Sequence, residues 1–156
     1  MNATDAEEAF RKAAACCAAA EQCGADIRKK LEKWGLDADS REAVVRRLEE
    51  ENFIDEARYA RCFVRDKFRY NHWGRVKIAQ ALRLKGIAPA AIGDALGEID
   101  GEDYARTLRQ LLQAKARSLK TASAYERNGK LARFALGRGF EMELIMRNLH
   151  VDEDFA

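Results

Sequence analysis

The stretch Ile78-Ala79-Gln80-Ala81-Leu82-Arg83-Leu84-Lys85-Gly86-Ile87 decides the fold. One apolar residue stands eight before the glycine, another four before it, and a third directly after it. The spacing of four puts Ile78 and Leu82 on one face of a helix. Gly86 then ends that helix in the left-handed conformation, which a residue without a Cβ adopts freely, and Ile87 packs back on the helix just left. The pattern occurs twice more, as Ile27, Leu31, Gly35, Leu36 and as Leu131, Ala135, Gly139, Phe140. The three glycines are 51 and 53 residues apart. Another helix begins soon after each, with apolar pairs four apart: Val44 and Leu48, Ile92 and Leu96, Ile145 and Leu149. The helix opening the second repeat carries Tyr59-Ala60-Arg61 and the third carries Tyr104-Ala105-Arg106, with a looser counterpart near Phe10 in the first. One three-helix unit has little core, so such units must stack. The expected fold is therefore all-α, an elongated, curved array of three tandem three-helix repeats over 1–54, 55–100 and 101–156.

Composition agrees with a helical chain. The 156 residues include one proline, Pro89, and ten glycines, with 47% hydrophobic and 35% charged residues. A sheet protein of this size needs more turn residues, and a disordered one has fewer apolar groups. The predicted helices run about 4–22 (capped by Thr4 or Asp5), 24–34, 41–51 after Ser40, 56–70 and 74–85. Four more run about 89–98 from Pro89, 102–118, 123–138 and 141–149. No apolar run reaches the roughly 20 residues of a membrane span. The acidic start Met1-Asn2-Ala3-Thr4-Asp5 lacks the basic and apolar parts of a signal peptide, so a secreted protein is not expected.

The net charge of +2 conceals an alternation. Residues 1–55 carry a net −4, 67–93 a net +6 with no acid, 94–103 a net −5, 104–139 a net +8, and 140–156 a net −4. Basic blocks of this kind read as contact surface for an anion, nucleic acid or an acidic partner face. The sharpest feature is Arg58, Arg61, Arg65 and Arg69, which on a helix fall within an arc of roughly 80° over about 16 Å. Like charges at these spacings oppose helix formation by a few tenths of a kcal/mol per pair, so an external anion would relieve them. The alternatives are a solvated face and salt bridges to acids such as Glu49, Glu50 and Glu51. The basic run continues through Lys67, Arg75, Lys77, Arg83 and Lys85, interleaved with Phe68, Tyr70, His72 and Trp73. Cations with exposed aromatics track phosphates and stack bases; aromatics at a helix end also serve as core. His72 reads as a turn or capping residue. A more diffuse block holds Arg106, Arg109, Lys115, Arg117, Lys120, Arg127, Lys130, Arg133 and Arg138, around a polar loop at 118–123.

Catalytic signatures are missing: there is no GxxxxGK[ST], GxGxxG, HExxH or GxSxG. The acidic pairs Asp37 and Asp39, and Glu102 and Asp103, sit at helix starts, where capping explains them. Cys16, Cys17, Cys23 and Cys62 form no CxxC pair and lack zinc spacing. Cys16 and Cys23, seven apart, are expected on one helix face as small buried hydrophobes, free thiols of a cytosolic protein.

The segment from Asn52-Phe53-Ile54-Asp55-Glu56-Ala57-Arg58-Tyr59-Ala60-Arg61 through Cys62-Phe63-Val64-Arg65-Asp66-Lys67 resembles the signature of the RecX family of recombinase regulators. So does Trp73-Gly74-Arg75-Val76-Lys77-Ile78, followed by Leu82, Lys85-Gly86-Ile87, Ile92 and Leu96. The likeness is specific over about 48–97. The alanine- and cysteine-rich first helix departs from the family, and the third repeat has Arg138-Gly139 in place of Lys-Gly. The resemblance implies three tandem three-helix repeats and a bacterial cytoplasmic protein that binds the RecA recombinase on single-stranded DNA. It implies lodging in the filament groove, lowering ATPase and strand exchange, and promoting disassembly, within recombination, DNA repair and the SOS response. It implies no catalytic residue and neither metal nor nucleotide cofactor. The partner or DNA contacts are expected at Arg58, Arg61, Arg65, Lys67, Arg69, Arg75, Lys77, Arg83 and Lys85. A monomer is expected. Two other readings remain: a nucleic-acid-binding module that needs no protein partner, and a helical scaffold for another partner.

Overall fold

The computed structural model describes residues 3–120 and 123–154, with side chains over 5–120 and 123–149. Among the described residues the chain is all-helical, with no strand. In order these are α1 (Ala3–Ala19), α2 (Gly24–Lys33), α3 (Ala38–Glu50), α4 (Glu56–Arg69) and α5 (Arg75–Leu84). Then follow α6 (Pro89–Leu96), α7 (Gly101–Ser118), α8 (Ala124–Gly137) and α9 (Met142–Asp154). The chain belongs to the all-α class as a helical repeat array.

The three glycines end their helices as the pattern requires, at φ of 89° for Gly35, 78° for Gly86 and 95° for Gly139. The hydrogen bonds around each are the same. The glycine N–H donates to the carbonyl three back, on Glu32, Arg83 and Leu136. The next residue's N–H donates to the carbonyl five back, from Leu36 to Leu31, Ile87 to Leu82 and Phe140 to Ala135. This doubly closed end satisfies carbonyls the helix leaves over. Asn52 closes α3 in the same way without being glycine. It sits at φ 63°, its N–H on Glu49 and that of Phe53 on Leu48 at 2.8 Å. His72, at φ 56°, is the turn residue after α4. The sequence pattern passes over Asn52 because asparagine accepts the left-handed region less visibly than glycine does.

Several helix starts lie elsewhere than expected. α3 begins before Ser40: the Asp37 carboxylate accepts the Ser40 N–H at 2.8 Å, so Asp37 is the cap and Ser40 lies inside the helix. Asp100 caps α7, accepting from the Asp103 N–H at 3.0 Å, and Ser123 caps α8 through the Glu126 N–H at 3.0 Å. α1 already runs at Ala3, which puts Asp5 in its first turn, and the side chain of Thr4 lies outside the described residues. α1 stops at Ala19, so Cys23 is not on its face but precedes α2 as its cap residue. Cys23 is buried, Cys16, Cys17 and Cys62 are half-buried, and all four are free. Of the expected polar loop, Thr121 and Ala122 lie outside the described residues.

Two compact units form: Met1–Phe63 with Leu82–Ala95, and Val64–Ala81 with Leu96–Ala156. Units describe packing and repeats describe sequence periodicity, so the two divisions need not coincide. In the first unit α1, α2 and α3 touch one another around Phe10, Ala13, Ile27, Leu31, Val45 and Leu48. Phe10 meets Phe53 edge-on at 6.2 Å. In the second unit α7, α8 and α9 enclose Tyr104, Leu108, Leu131, Phe140, Ile145 and Leu149. Phe68 packs against Tyr104, with ring centres 5.8 Å apart, and the Phe140 ring centre lies 5.0 Å from that of Tyr104. Phe68 is thus part of this core's rim rather than an open stacking surface.

The start of α5 meets the end of α8 with no side chain between them. The N–H groups of Gly74 and Val76 donate to the carbonyls of Arg138 and Gly139 at 2.7 and 2.9 Å. Donors left over at one helix start thereby meet acceptors left over at another helix end. A Cβ on Gly74 would lie 2.3 Å from the Gly139 carbonyl oxygen, whereas one on Gly86 would meet open space. Gly74→Ala is therefore expected to cost about 2 kcal/mol or more, as overpacking does, although Gly74 is not left-handed. Gly86→Ala should cost about 1 kcal/mol, the penalty of a left-handed residue bearing a Cβ. Urea denaturation of both variants checks the order; a larger loss for Gly86→Ala contradicts the close approach.

Candidate functional site

The nine basic residues singled out above do not behave alike. In the first unit, Arg58 is held internally. Its Nε donates to Glu21 at 2.5 Å, and its Nη2 reaches the carbonyls of Asn52 and Phe53 at 3.2 Å each. The hydrogen bond to Glu21 raises the guanidinium pKa further above its ordinary value. Arg58 thus ties the start of α4 to the end of α3 and the α1–α2 connection. Lys85 is also held, donating to Asp26 at 2.7 Å with its ammonium 6.0 Å from the Tyr59 ring centre. Burial pushes the Asp26 carboxyl up, but hydrogen bonds from Lys85 and Cys23 outweigh it and leave the pKa lowered. Tyr59 is buried, and burial with the nearby Asp26 charge pushes its phenol far up. By contrast Arg61 and Arg83 are exposed, and no described residue pairs with either.

In the second unit, Arg75 is drawn into a network around Tyr104. Its Nη1 donates to Glu141 at 2.8 Å, its guanidinium lies 3.9 Å from the Tyr104 ring centre, and its backbone N–H donates to the Tyr104 hydroxyl at 2.9 Å. That hydroxyl in turn donates to Glu141. Burial, followed by the hydrogen bond to Glu141, pushes the Tyr104 phenol far up. Lys67 and Lys77 place their ammonium groups 4.8 and 4.5 Å from the ring centre of half-buried Trp73, so one indole serves two cations. Arg65 is exposed with only a loose approach of 3.6 Å to its neighbour Asp66, and Arg69 is exposed with no described partner. Tyr70 is 77% exposed, the most open aromatic of this segment.

The repeat pattern accounts for two held cations. Lys85 and Arg138 both stand directly before a left-handed glycine. Lys85 reaches Asp26 in the first turn of α2, and Arg138 donates to the Asn71 carbonyl, in the turn between α4 and α5, at 2.9 Å. Tyr59 and Tyr104 likewise stand at matching positions and face the starts of α2 and α5. These contacts join consecutive repeats within each unit. The acids that hold Arg58, Lys85 and Arg75, namely Glu21, Asp26 and Glu141, escape a sequence reading, since an acid near a helix start looks like a cap.

These features define a class: an all-helical repeat protein whose second repeat carries both internally anchored and outward-facing cations. Family models match its helical domains. Residues 55–96 match the second three-helix domain of RecX and residues 102–149 match the third. The regulatory protein RecX of Prosthecochloris aestuarii is 30% identical over 149 residues, covering 96% of each chain. That of Chlorobaculum tepidum is 32% identical over 78% of this chain and 73% of its own. The RecX of Clostridium botulinum is 35% identical over 76% of this chain, which spans only 56% of that protein's length. A crystal structure of RecX from Lactobacillus salivarius superposes with a TM-score of 0.83 over 99% of this chain and 100% of that one at 19% identity, a likeness of fold. The chain belongs to the RecX family, a family of regulatory proteins. Among the described residues no helix is long and apolar enough to cross a membrane.

The Asp26–Lys85 pair gives a pH dependence whose sign follows from the lowered pKa. The carboxylate stabilises the fold above its unfolded-state value of about 3.9, and the contribution is lost as pH falls through the lower folded value. Asp26→Asn should therefore lose less stability than the parent chain when pH is taken from about 5 to about 2. At neutral pH Lys85→Met should cost about 1–3 kcal/mol, between exposed and buried pairs. Chemical denaturation at several pH values measures both. Equal acid sensitivity of the parent and Asp26→Asn removes the pair from the account.

Proposed function

We propose that this chain binds the RecA–single-stranded DNA filament and lowers its ATPase and strand-exchange activity, as a cytoplasmic regulator of recombination, DNA repair and the SOS response. Family membership carries this reading, and the outward-facing cations of the second repeat support it. In this proposal it acts as a monomer without catalytic groups. Of the nine cations, Arg61, Arg65, Arg69 and Arg83 meet the acidic protomer surface or DNA phosphates. Lys67 and Lys77 present Trp73. Arg58, Arg75 and Lys85 act by holding α4 and α5 in place. Exposed charges chiefly speed and orient association and weaken with salt.

Added protein should slow ATP hydrolysis by RecA on single-stranded DNA at sub-stoichiometric amounts. Changing Arg61, Arg65 and Arg69 together to alanine should raise the half-inhibiting concentration about tenfold, or about 1.4 kcal/mol, with unfolding unaltered. Unchanged hydrolysis at excess protein sinks the proposal.

The Lys67–Trp73–Lys77 arrangement favours a second reading, a module that binds nucleic acid unaided, since an indole flanked by cations suits a base next to its phosphate. This reading requires that Lys67→Gln with Lys77→Gln weaken binding to naked single-stranded DNA. Equal affinity rules it out.

A further inference from the structure

The outer face of α8 carries a pattern that its own unit does not use. Tyr125, Gly129, Ala132 and Leu136 stand at spacings of four, three and four, within an arc of about 60°. That is the seam of a helix that meets another helix. Leu131 and Ala135, on another side of α8, already serve the core. Tyr125 is 90% exposed and Leu136 40%. Tyr125, Gly129 and Ala132, with Met146 and Leu149 of α9, line a groove of about 430 Å³ in the second unit. Met146 is itself 38% exposed. A contiguous apolar strip of this kind marks an interaction surface.

Gly129 shows how close the other helix comes. A glycine inside a helix costs stability relative to alanine. Yet a Cβ there would meet only the guanidinium of Arg133, 3.6 Å away. Nothing within the unit therefore requires the missing side chain. Gly93 of α6 is as open, but α6 has no large exposed apolar residue beside it. In α8 the small residues Gly129 and Ala132 stand between two large exposed ones, which lets a second helix axis approach closely at the middle.

The flanking charges say which helix this is. Glu126 and Arg133 both lie on one flank of the seam, and among the described residues neither has a charged partner. Arg106, Arg147 and Arg75 of the same unit each have one. A two-fold axis between Lys130 and Leu131 sets α8 antiparallel to the α8 of a second copy. Tyr125 then faces the second copy's Leu136, and Gly129 faces its Ala132, so large meets large and small meets small. The same register brings Glu126 beside the second copy's Arg133, and the symmetry repeats the contact. Flanking pairs of this type set partner choice and direction along such seams. Moving Arg133 onto that carboxylate also uncovers Gly129.

We propose that free chains of this protein form a two-fold dimer through antiparallel α8 helices, with Met146 of each copy packed on the other's α8. The 14 residues of α8 span about 21 Å. The contact therefore falls at the small end of interfaces, below about 1,200 Å², and dissociates in the micromolar range. The dimer is a state of the free chain. The monomer proposed to act on the filament is its dissociated form, and failure of either proposal leaves the other standing.

Sedimentation velocity of the full chain over about 1–200 μM tests the dimer. The parent should pass from monomer to dimer across that range. Glu126→Arg and Arg133→Glu each turn two attractive contacts into repulsive ones and should raise Kd about tenfold or more. Mixing the two variants in equal amounts should restore a dimer, because both contacts of the mixed dimer are attractive. That rescue also shows that both variants fold. Gly129→Leu blocks the close approach and should raise Kd about tenfold or more without lowering the melting temperature read by circular dichroism. Arg127→Glu reverses a charge on the opposite side of α8 and should change Kd less than about twofold. A parent chain still monomeric at the highest concentration leaves the groove to a different protein and overturns the proposal. Dimerisation of both single reversals as strong as the parent's, or a mixture that stays monomeric, overturns it too.

Discussion

Everything in this protein depends on how its helices stop. At Gly35, Gly86 and Gly139 the backbone enters the left-handed region, and two N–H groups turn back to satisfy carbonyls of the helix just left. The following residue, Leu36, Ile87 or Phe140, is thereby delivered into the core, where each is at most 4% exposed. The turn is short, so the next helix starts three residues on, and α3 packs on α2 and α9 on α8. A longer or looser end would leave carbonyls unsatisfied and the apolar faces misaligned.

Once helix ends fix the trios, consecutive repeats are joined by a small set of polar contacts. The cation before a left-handed glycine reaches back to the start of the middle helix of the preceding repeat, and a tyrosine of the repeat's first helix seals the same place. Asp26 with Lys85 and Tyr59 shows one version; Arg138 on the Asn71 carbonyl, with Tyr104 bound to Arg75 and Glu141, shows the other. Part of the basic character that looks like a binding surface therefore belongs to the joints. Of the nine cations of the second repeat, Arg61, Arg65, Arg69 and Arg83 stay exposed.

The periodic apolar positions were legible because helical spacing and a glycine stop are local. Ile27, Leu31, Ile78, Leu82, Leu131 and Ile145 are all buried at 1% exposure or less. Pro89 begins α6, where its fixed φ suits a first turn. Capping was less legible. Asp37 rather than Ser40 starts α3, since both residue types cap well and only the backbone path chooses between them. Asn52 and the close approach of Gly74 to Gly139 left no periodic trace, for each depends on what lies opposite in space.

The sequence by itself determined the helical class, the three-fold repeat and the family, because spacing, stop residues and short motifs are properties of neighbouring residues. Only the tertiary structure decided the role of each charge. A cation's partner is set by distance through space, not along the chain. Arg58 and Arg61, one helical turn apart, therefore end with opposite fates: one is bound to Glu21 and two carbonyls, the other faces water.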